Sequence, residues 1–276
     1  MKILVTGCLG FIGSKLYAEI EKDHELVGYD IKVNDDIRDR RKLEYLFETE
    51  NFDIVIHLAA LTGVRRGELY PDEYISTNVI GTKNLVELSE KYGVKHFINF
   101  SSSSIYGESK KALSEVDMPN PNSIYGMTKL MAEQIVRRSS LEWTTIRPFT
   151  VYGENGRPDQ VLVKWANEVN AGKPITFYGD GNTVRGYTYL GDLIRGVKLI
   201  IEHGGIGTVN LGGTEPISLS ELWDIIGNPE RDVLELPFGD RTRSVADIEK
   251  AVIALGWTPQ SDFRKTIKKL WKELCQ

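Results

Sequence analysis

The chain has 276 residues, a formal net charge of −5, and hydrophobic and charged fractions of 41% and 26%. That is the composition of an ordinary soluble globular protein, long enough for one large domain or two small ones. The charge is spread without a basic block, which argues against nucleic-acid and membrane-surface partners and leaves room only for a local basic pocket that holds one diphosphate. Residues 1–7 turn polar too early for the hydrophobic region of a signal peptide, and no run approaches the roughly 18 apolar residues of a membrane helix. Cys8 and Cys275 are too few for a disulfide framework or a thiolate metal site. The expectation is a cytoplasmic protein with two reduced thiols and no metal.

Short apolar runs at 2–5, 25–29, 53–56, 96–100 and 143–146 alternate with segments of helical spacing near 12–21, 39–49, 72–92 and 123–138. The runs read as strands buried on both faces. Strand and helix repeated this way imply right-handed crossovers and a parallel sheet covered on both sides. The predicted fold class is α/β, a doubly wound parallel sheet whose ligand lies at the carboxyl ends of the strands. Beyond residue 150 the rhythm loosens: Gly and Pro cluster between helices expected at 159–171, 190–203, 218–226, 245–254 and 261–274. Residues 1–150 and 187–211 are expected to form the dinucleotide-binding domain, with 151–186 and 212–276 a smaller substrate lobe.

Gly7, Gly10 and Gly13 fall between the first strand and the first helix. Glycines there permit a tight turn and let backbone amides and the helix amino terminus approach a pyrophosphate. Asp30 ends the second strand, placed to accept from a ribose 2′-hydroxyl; a carboxylate there repels a 2′-phosphate and favours NAD over NADP. The connection from Asp30 to Asp36 and Ile37 is short, so one crossover is abbreviated. Asp36 either lies against the adenine or caps the helix that follows.

Tyr125 and Lys129 stand at i and i+4 on one helix face. They follow the fourth strand, whose end carries the run Ser101 to Ser104; alone, four serines read as a flexible loop. Tyrosine titrates near 10 and is a poor base at neutral pH. A neighbouring ammonium and a cationic nicotinamide both lower that value, so Tyr125 can take a hydroxyl proton while a serine holds the reacting oxygen.

Together the GxxGxxG turn, the run His57-Leu58-Ala59-Ala60, Asn78 to Thr82, the serines before Tyr106-Gly107 and the YxxxK spacing resemble the NAD-dependent epimerase/dehydratase family. The run 147–153, Gly179-Asp180-Gly181 with Arg185 and Tyr187, and Asn210 to Gly213 extend the resemblance over nearly the whole chain. It implies a Rossmann-type sheet, bound NAD, a nucleotide-sugar substrate and a homodimer formed through a four-helix bundle of the 72–92 and 123–138 helices. It also implies that Ser102, Tyr125 and Lys129 are catalytic. Phe11, Ile12, Asp30, Asp36, Ile37, Leu58, Ala59, Ala60, Leu61, Thr62, Asn78 and Phe149 fall where the family lines NAD. Ser103 and Ser104 border the substrate, Arg185 matches an arginine that meets the nucleotide diphosphate, and Asp240 a residue near the same nucleotide.

Family 4,6-dehydratases carry an acid where this chain has Ser104. Eliminating water needs that acid, so dehydration is excluded, whereas 4-epimerisation needs only Ser102, Tyr125, Lys129 and NAD. Gly63-Val64-Arg65 and the run 147–159 look most like UDP-glucuronate 4-epimerases, where residues matching Thr150 and Arg157 lie near the sugar carboxylate. That favours a UDP-hexuronate over a neutral UDP-hexose. The chain departs from the pattern at Gly186, where an Asp is usual, and at Pro237-Phe238, where an arginine often precedes Gly239-Asp240. Segments 30–36 and 227–236 are short. The short early crossover resembles dTDP-4-dehydrorhamnose reductases, which makes an NAD(P)H-dependent reductase one alternative; a catalytically silent NAD-binding scaffold is another.

Overall fold

A computed structural model describes residues 1–236 and 241–275. Its strands are β1 (Lys2–Thr6), β2 (Glu25–Tyr29), β3 (Ile54–His57), β4 (His96–Phe100), β5 (Glu142–Pro148), β6 (Val151–Tyr152), β7 (Ile175–Tyr178), β8 (Val184–Gly186), β9 (Thr188–Tyr189), β10 (Gly207–Leu211), β11 (Pro216–Ser218), β12 (Arg231–Leu234) and β13 (Arg243–Ser244). Six of them form one sheet in the order β2-β1-β3-β4-β5-β10, every pair parallel. Parallel neighbours need crossovers, and helices provide them: α1 (Phe11–Ile20), α2 (Arg40–Thr49), α3 (Val64–Leu69), α4 (Pro71–Tyr74), α5 (Thr82–Lys91), α6 (Ile124–Arg137), α7 (Val161–Asn170) and α8 (Leu190–His203).

Side chains alternate across each strand, so the sheet builds two cores. From β1, Ile3 and Val5 join one core with Leu16 and Ile20 of α1 and Leu193, Val197 and Ile200 of α8. Leu4 points the other way, to Leu43 and Phe47 of α2, Leu85 and Leu88 of α5, and Val136 of α6. Strand β2 departs from the expectation of burial on both faces. Glu25 is exposed, Leu26 to Gly28 are half-buried and only Tyr29 is buried. It is the sheet edge, with one strand neighbour, and the short 3₁₀ turn Ile31–Val33 follows it.

The segment 72–92, expected as one helix, is three pieces: α4, a π-type turn Ile75–Gly81, and α5. The widened turn brings Gly81 against Ile37, where an added Cβ would lie 2.5 Å from Cδ1, and turns buried Asn78 toward the loop after β3. Such wide turns commonly serve functional positions.

A third core holds Tyr152, Leu162, Trp165, Ile175, Phe177, Leu222, Phe263, Ile267 and Leu270, with Trp165 and Phe177 stacked at 6.0 Å. It gathers β6, β7, α7, α9 (Leu219–Ile225) and α11 (Phe263–Leu274). One helix after residue 212 goes elsewhere. Ala251 and Leu255 of α10 (Glu249–Leu255), with Trp257, belong to the core under the main sheet.

Candidate active site

The turn after β1 is built for close backbone approach. Gly7 has φ +72, and a Cβ there would stand 2.7 Å from Ala59 N; a Cβ on Gly13 would meet Gly7 O at 2.0 Å. No residue with a side chain caps α1, whose N-cap is Gly10. The amides of its first turn, carried by Phe11, Ile12 and Gly13, are therefore offered to an anion. Asp30 is 5% exposed at the end of β2, and its carboxylate accepts from Leu9 N at 2.8 Å and Lys32 N at 2.9 Å. The acid thus also fixes the glycine turn. Lys32 reaches back to Leu9 O at 2.7 Å. The donors and the acid fit a dinucleotide.

Asp36 is not the cap of α2. Its carboxylate takes Arg38 in a forked pair at 2.6–3.0 Å, and Asp39 caps the helix by accepting from Lys42 N. Ile37 is 4% exposed and serves as core under Gly81.

Beneath Leu58 to Thr62 runs a buried polar chain. Ala59 N donates to Thr6 Oγ1, which contacts His57 Nδ1 at 2.8 Å; His57 Nε2 lies 2.9 Å from Thr82 Oγ1. Thr82 commits its hydroxyl proton to Asn78 O at 2.6 Å, so Nε2 carries the ring proton and Nδ1 accepts from Thr6. Burial pushes His57 down to about 3, which keeps it neutral. Asn78 then binds Leu61 through both N and O and donates to Thr128 Oγ1 of α6 at 3.1 Å. The Leu58–Thr62 backbone is thereby pinned between the glycine turn and the helix that carries Tyr125.

Ser123 caps α6 by accepting from Gly126 N, and two turns of that helix present Tyr125 and Lys129. The serine run is an ordered 3₁₀ turn (Ser103–Tyr106) at the carboxyl end of β4, with Ser101, Ser102 and Ser103 buried and Ser104 half-buried. Ser102 Oγ accepts from Ser104 N at 3.1 Å, and Ser102 lies close enough to Tyr125 to draw its phenol down. The Tyr125 phenol is not lowered. Burial raises it, against Ser102, Arg157 and Arg241, with Asp159 adding to the rise. The leading cations are Arg157 and Arg241, not the helical neighbour Lys129. Lys129 is 4% exposed; burial brings its ammonium down to about 8, while Glu133 one turn on holds the proton. Glu133 is in turn paired with buried Arg147 at 2.9 and 2.7 Å, and Arg147 donates to Tyr106 Oη at 2.8 Å.

Of the expected substrate residues, Arg157 lies near Tyr125, but Asp159 already holds it in a two-point pair at 2.9 and 3.0 Å. Thr150 is half-buried, its carbonyl accepting from Thr188 N. Phe149 is fully buried against Tyr106, its N–H given to Leu211 O and its carbonyl accepting from Thr188 Oγ1. Arg65 donates to Tyr178 Oη at 3.0 Å, and its guanidinium lies 4.2 Å over that ring, which Lys164 also contacts. Arg185 sits on β8 and donates to the carbonyls of Val184 and Arg241. Asp240 lies outside the described residues. Arg241 escapes sequence reading: its guanidinium donates to Ser103 O at 2.8 Å and Ser103 Oγ at 3.2 Å. The one available signal was a basic residue beside Gly239-Asp240.

With this geometry in place, comparison with known proteins is informative. A family model for the NAD dependent epimerase/dehydratase family matches residues 3–212. A UDP-glucuronate 4-epimerase from Thermodesulfobacterium geofontis is 32% identical over 96% of this chain and 94% of its own length. Among solved structures, the UDP-glucuronic acid 4-epimerase of Bacillus cereus, in complex with UDP-glucuronic acid and NAD, superposes with a TM-score of 0.90 at 30% identity, covering 99% of both chains. The UDP-glucose 4-epimerase of Thermotoga maritima, with UDP-glucose, gives 0.92 at 29% identity and full coverage of both. The chain belongs to the NAD-dependent epimerase/dehydratase family.

Proposed function

We propose that the protein is an NAD-dependent 4-epimerase of UDP-hexuronates. The observation that carries this reading is Ser102 beside Tyr125 at the carboxyl edge of the parallel sheet, close enough to draw its phenol down, with buried Lys129 one helical turn away. Gly7, Gly10, Gly13 and the first turn of α1 hold the pyrophosphate, Asp30 the adenosine ribose, and Leu58 to Thr62, fixed by Asn78, border the nicotinamide side. NAD supplies the hydride acceptor and donor at the sugar C4. Tyr125 takes the C4 hydroxyl proton as that carbon is oxidised and returns it after the keto sugar has turned over. Ser102 holds the reacting oxygen. Ser103 and Ser104 offer no acid for elimination, so the keto sugar is reduced again rather than dehydrated. Arg185 serves the diphosphate.

The uronate preference rests on Arg157 beside Tyr125 and on relatives named for UDP-glucuronate. A substrate carboxylate competes with Asp159 for a fork well shaped to receive it. The main-sheet lobe, residues 1–150 and 187–211, carries the cofactor, and 151–186 with 212–276 supplies the substrate side, α10 returning to the main core. Exposed Leu69, Tyr70, Ile75, Ile80, Met127 and Met131 lie along the segments 64–81 and α6, and they support a homodimer through these helices. We place the protein in the cytoplasm, where Cys8 and Cys275, unpaired here, stay reduced. The test is NMR of the C4 configuration after incubation with UDP-glucuronate, UDP-galactose and their dTDP counterparts, together with absorbance of the cofactor. Inversion of UDP-glucuronate with no net cofactor consumption is expected. Stoichiometric oxidation of added NADH would replace this reading by a reductase.

A further inference from the structure

The segment after residue 240 belongs to the substrate side by its pairing. Arg243–Ser244 runs parallel to Val184–Arg185, Val184 N donates to Thr242 O, and Arg185 Nη2 donates to Arg241 O at 2.7 Å. The same segment reaches the catalytic turn of the other lobe. Arg241 forks onto Ser103 through its carbonyl and hydroxyl, and Thr242 gives its N–H and its hydroxyl to the two oxygens of Glu108 at 2.8 and 2.7 Å. Ser103 follows Ser102, which draws the Tyr125 phenol down. A continuous path therefore leads from Arg185 through Arg241, Ser103 and Ser102 to the phenol.

We propose that Arg241 is a positioning residue that ties the seating of the nucleotide-binding side to the serine turn, and so holds Ser102 against Tyr125. The inference rests on the epimerase reading and adds a residue to it. A guanidinium suits the task because one rigid fork takes two acceptors of the same residue, which a lysine cannot match in geometry. Its charge acts as well. Around Tyr125 stand Lys129 on its own helix, Tyr74 edge-on at 6.3 Å, Arg157 with Asp159 from the 153–160 loop, and Arg241. Arg157 and Asp159 act on the phenol in opposite directions, so Arg241 supplies cationic bias from the far lobe.

The test compares wild type with Arg241→Gln, Arg241→Lys and Thr242→Val, all saturated with NAD. Two readouts are taken: the acid limb of kcat on UDP-glucuronate, and the titration of Tyr125 by phenolate absorbance as the difference from a matched Tyr125→Phe protein. Arg241→Gln should move both up by about one pH unit, a loss of about tenfold on the acid side. Arg241→Lys should restore the titration toward wild type while kcat stays depressed, because the charge returns without the fork. Thr242→Val, which loosens the clasp on Glu108 and leaves the arginine, should keep the wild-type limb. An unmoved Tyr125 titration in Arg241→Gln overturns the proposal, as does a Thr242→Val shift of equal size. If wild type inverts no UDP-sugar while the Tyr125 titration still moves, the epimerase reading fails and the role of Arg241 stands.

Discussion

Replacing Glu133 by Gln tests whether the ion pair under the catalytic helix does more than fill space. Glu133 and Arg147 have side chains 5% and 6% exposed and meet in a two-point pair. The guanidinium also donates to Tyr106 Oη and lies 4.8 Å over that ring, while Tyr106 donates to Asn210 Oδ1 at 2.8 Å. Removing one charge of a buried pair costs roughly 3–5 kcal/mol, because the remaining ion is stranded. The amide can still accept one guanidinium bond, so the lower end applies. At roughly 2–4 °C per kcal/mol for large domains, the apparent Tm should fall by about 6–12 °C. The double variant Glu133→Met with Arg147→Met should recover most of that loss, since two apolar chains strand no charge. A second consequence is functional. Glu133 holds the proton on Lys129 against burial, so in Glu133→Gln the alkaline limb of kcat should move toward lower pH. Calorimetry and a pH–rate series read the two effects. A Tm within about 2 °C of wild type together with an unmoved alkaline limb would refute the reasoning.

Lys129 titrates at about 8 in the folded chain, below its ordinary 10.5. Between those values the unfolded chain holds more protons, so stability should rise with pH while kcat falls as the cation is lost. Lys129→Met should remove both dependences, and thermal melts from pH 7 to 10.5 beside kcat check it. Asp30→Ala should weaken NAD and erase preference over NADP, because the variant loses both the repulsive carboxylate and the anchor of Leu9 N. Binding by cofactor fluorescence decides it, and tighter NADP in wild type counts against the assignment. Arg157→Ala should lower kcat/KM for UDP-glucuronate by about 10–150-fold more than for UDP-galactose, from a charged hydrogen bond of roughly 1.5–3 kcal/mol, while both sugars share the loss of a cation near Tyr125. Equal losses on both sugars would return Arg157 to its pair with Asp159.

What could be read from the sequence was what short-range geometry controls. Five of the six main-sheet strands, the glycine turn before α1 and the Tyr125–Lys129 spacing each follow from local periodicity or one helical turn. Where a side chain's state depends on distant chain, the reading failed or stayed silent. Of the two roles left open for Asp36, the cap falls to Asp39, which directly precedes α2, while Asp36 pairs with Arg38. The 72–92 helix opened into a π-type turn because Gly81 must pass Ile37 and Asn78 must reach both Leu61 and Thr128. The phenol of Tyr125 is the sharpest case. Its position four residues before Lys129, with a cationic nicotinamide beside it, predicts a lowered value, and in the folded chain burial acts against that. Relief comes from Ser102, Arg157 and Arg241, and Arg241 touches the serine turn across 138 positions of sequence. No periodicity encodes that contact. The groups that draw the phenol down against burial thus lie outside the Tyr125–Lys129 spacing that marks it in the sequence.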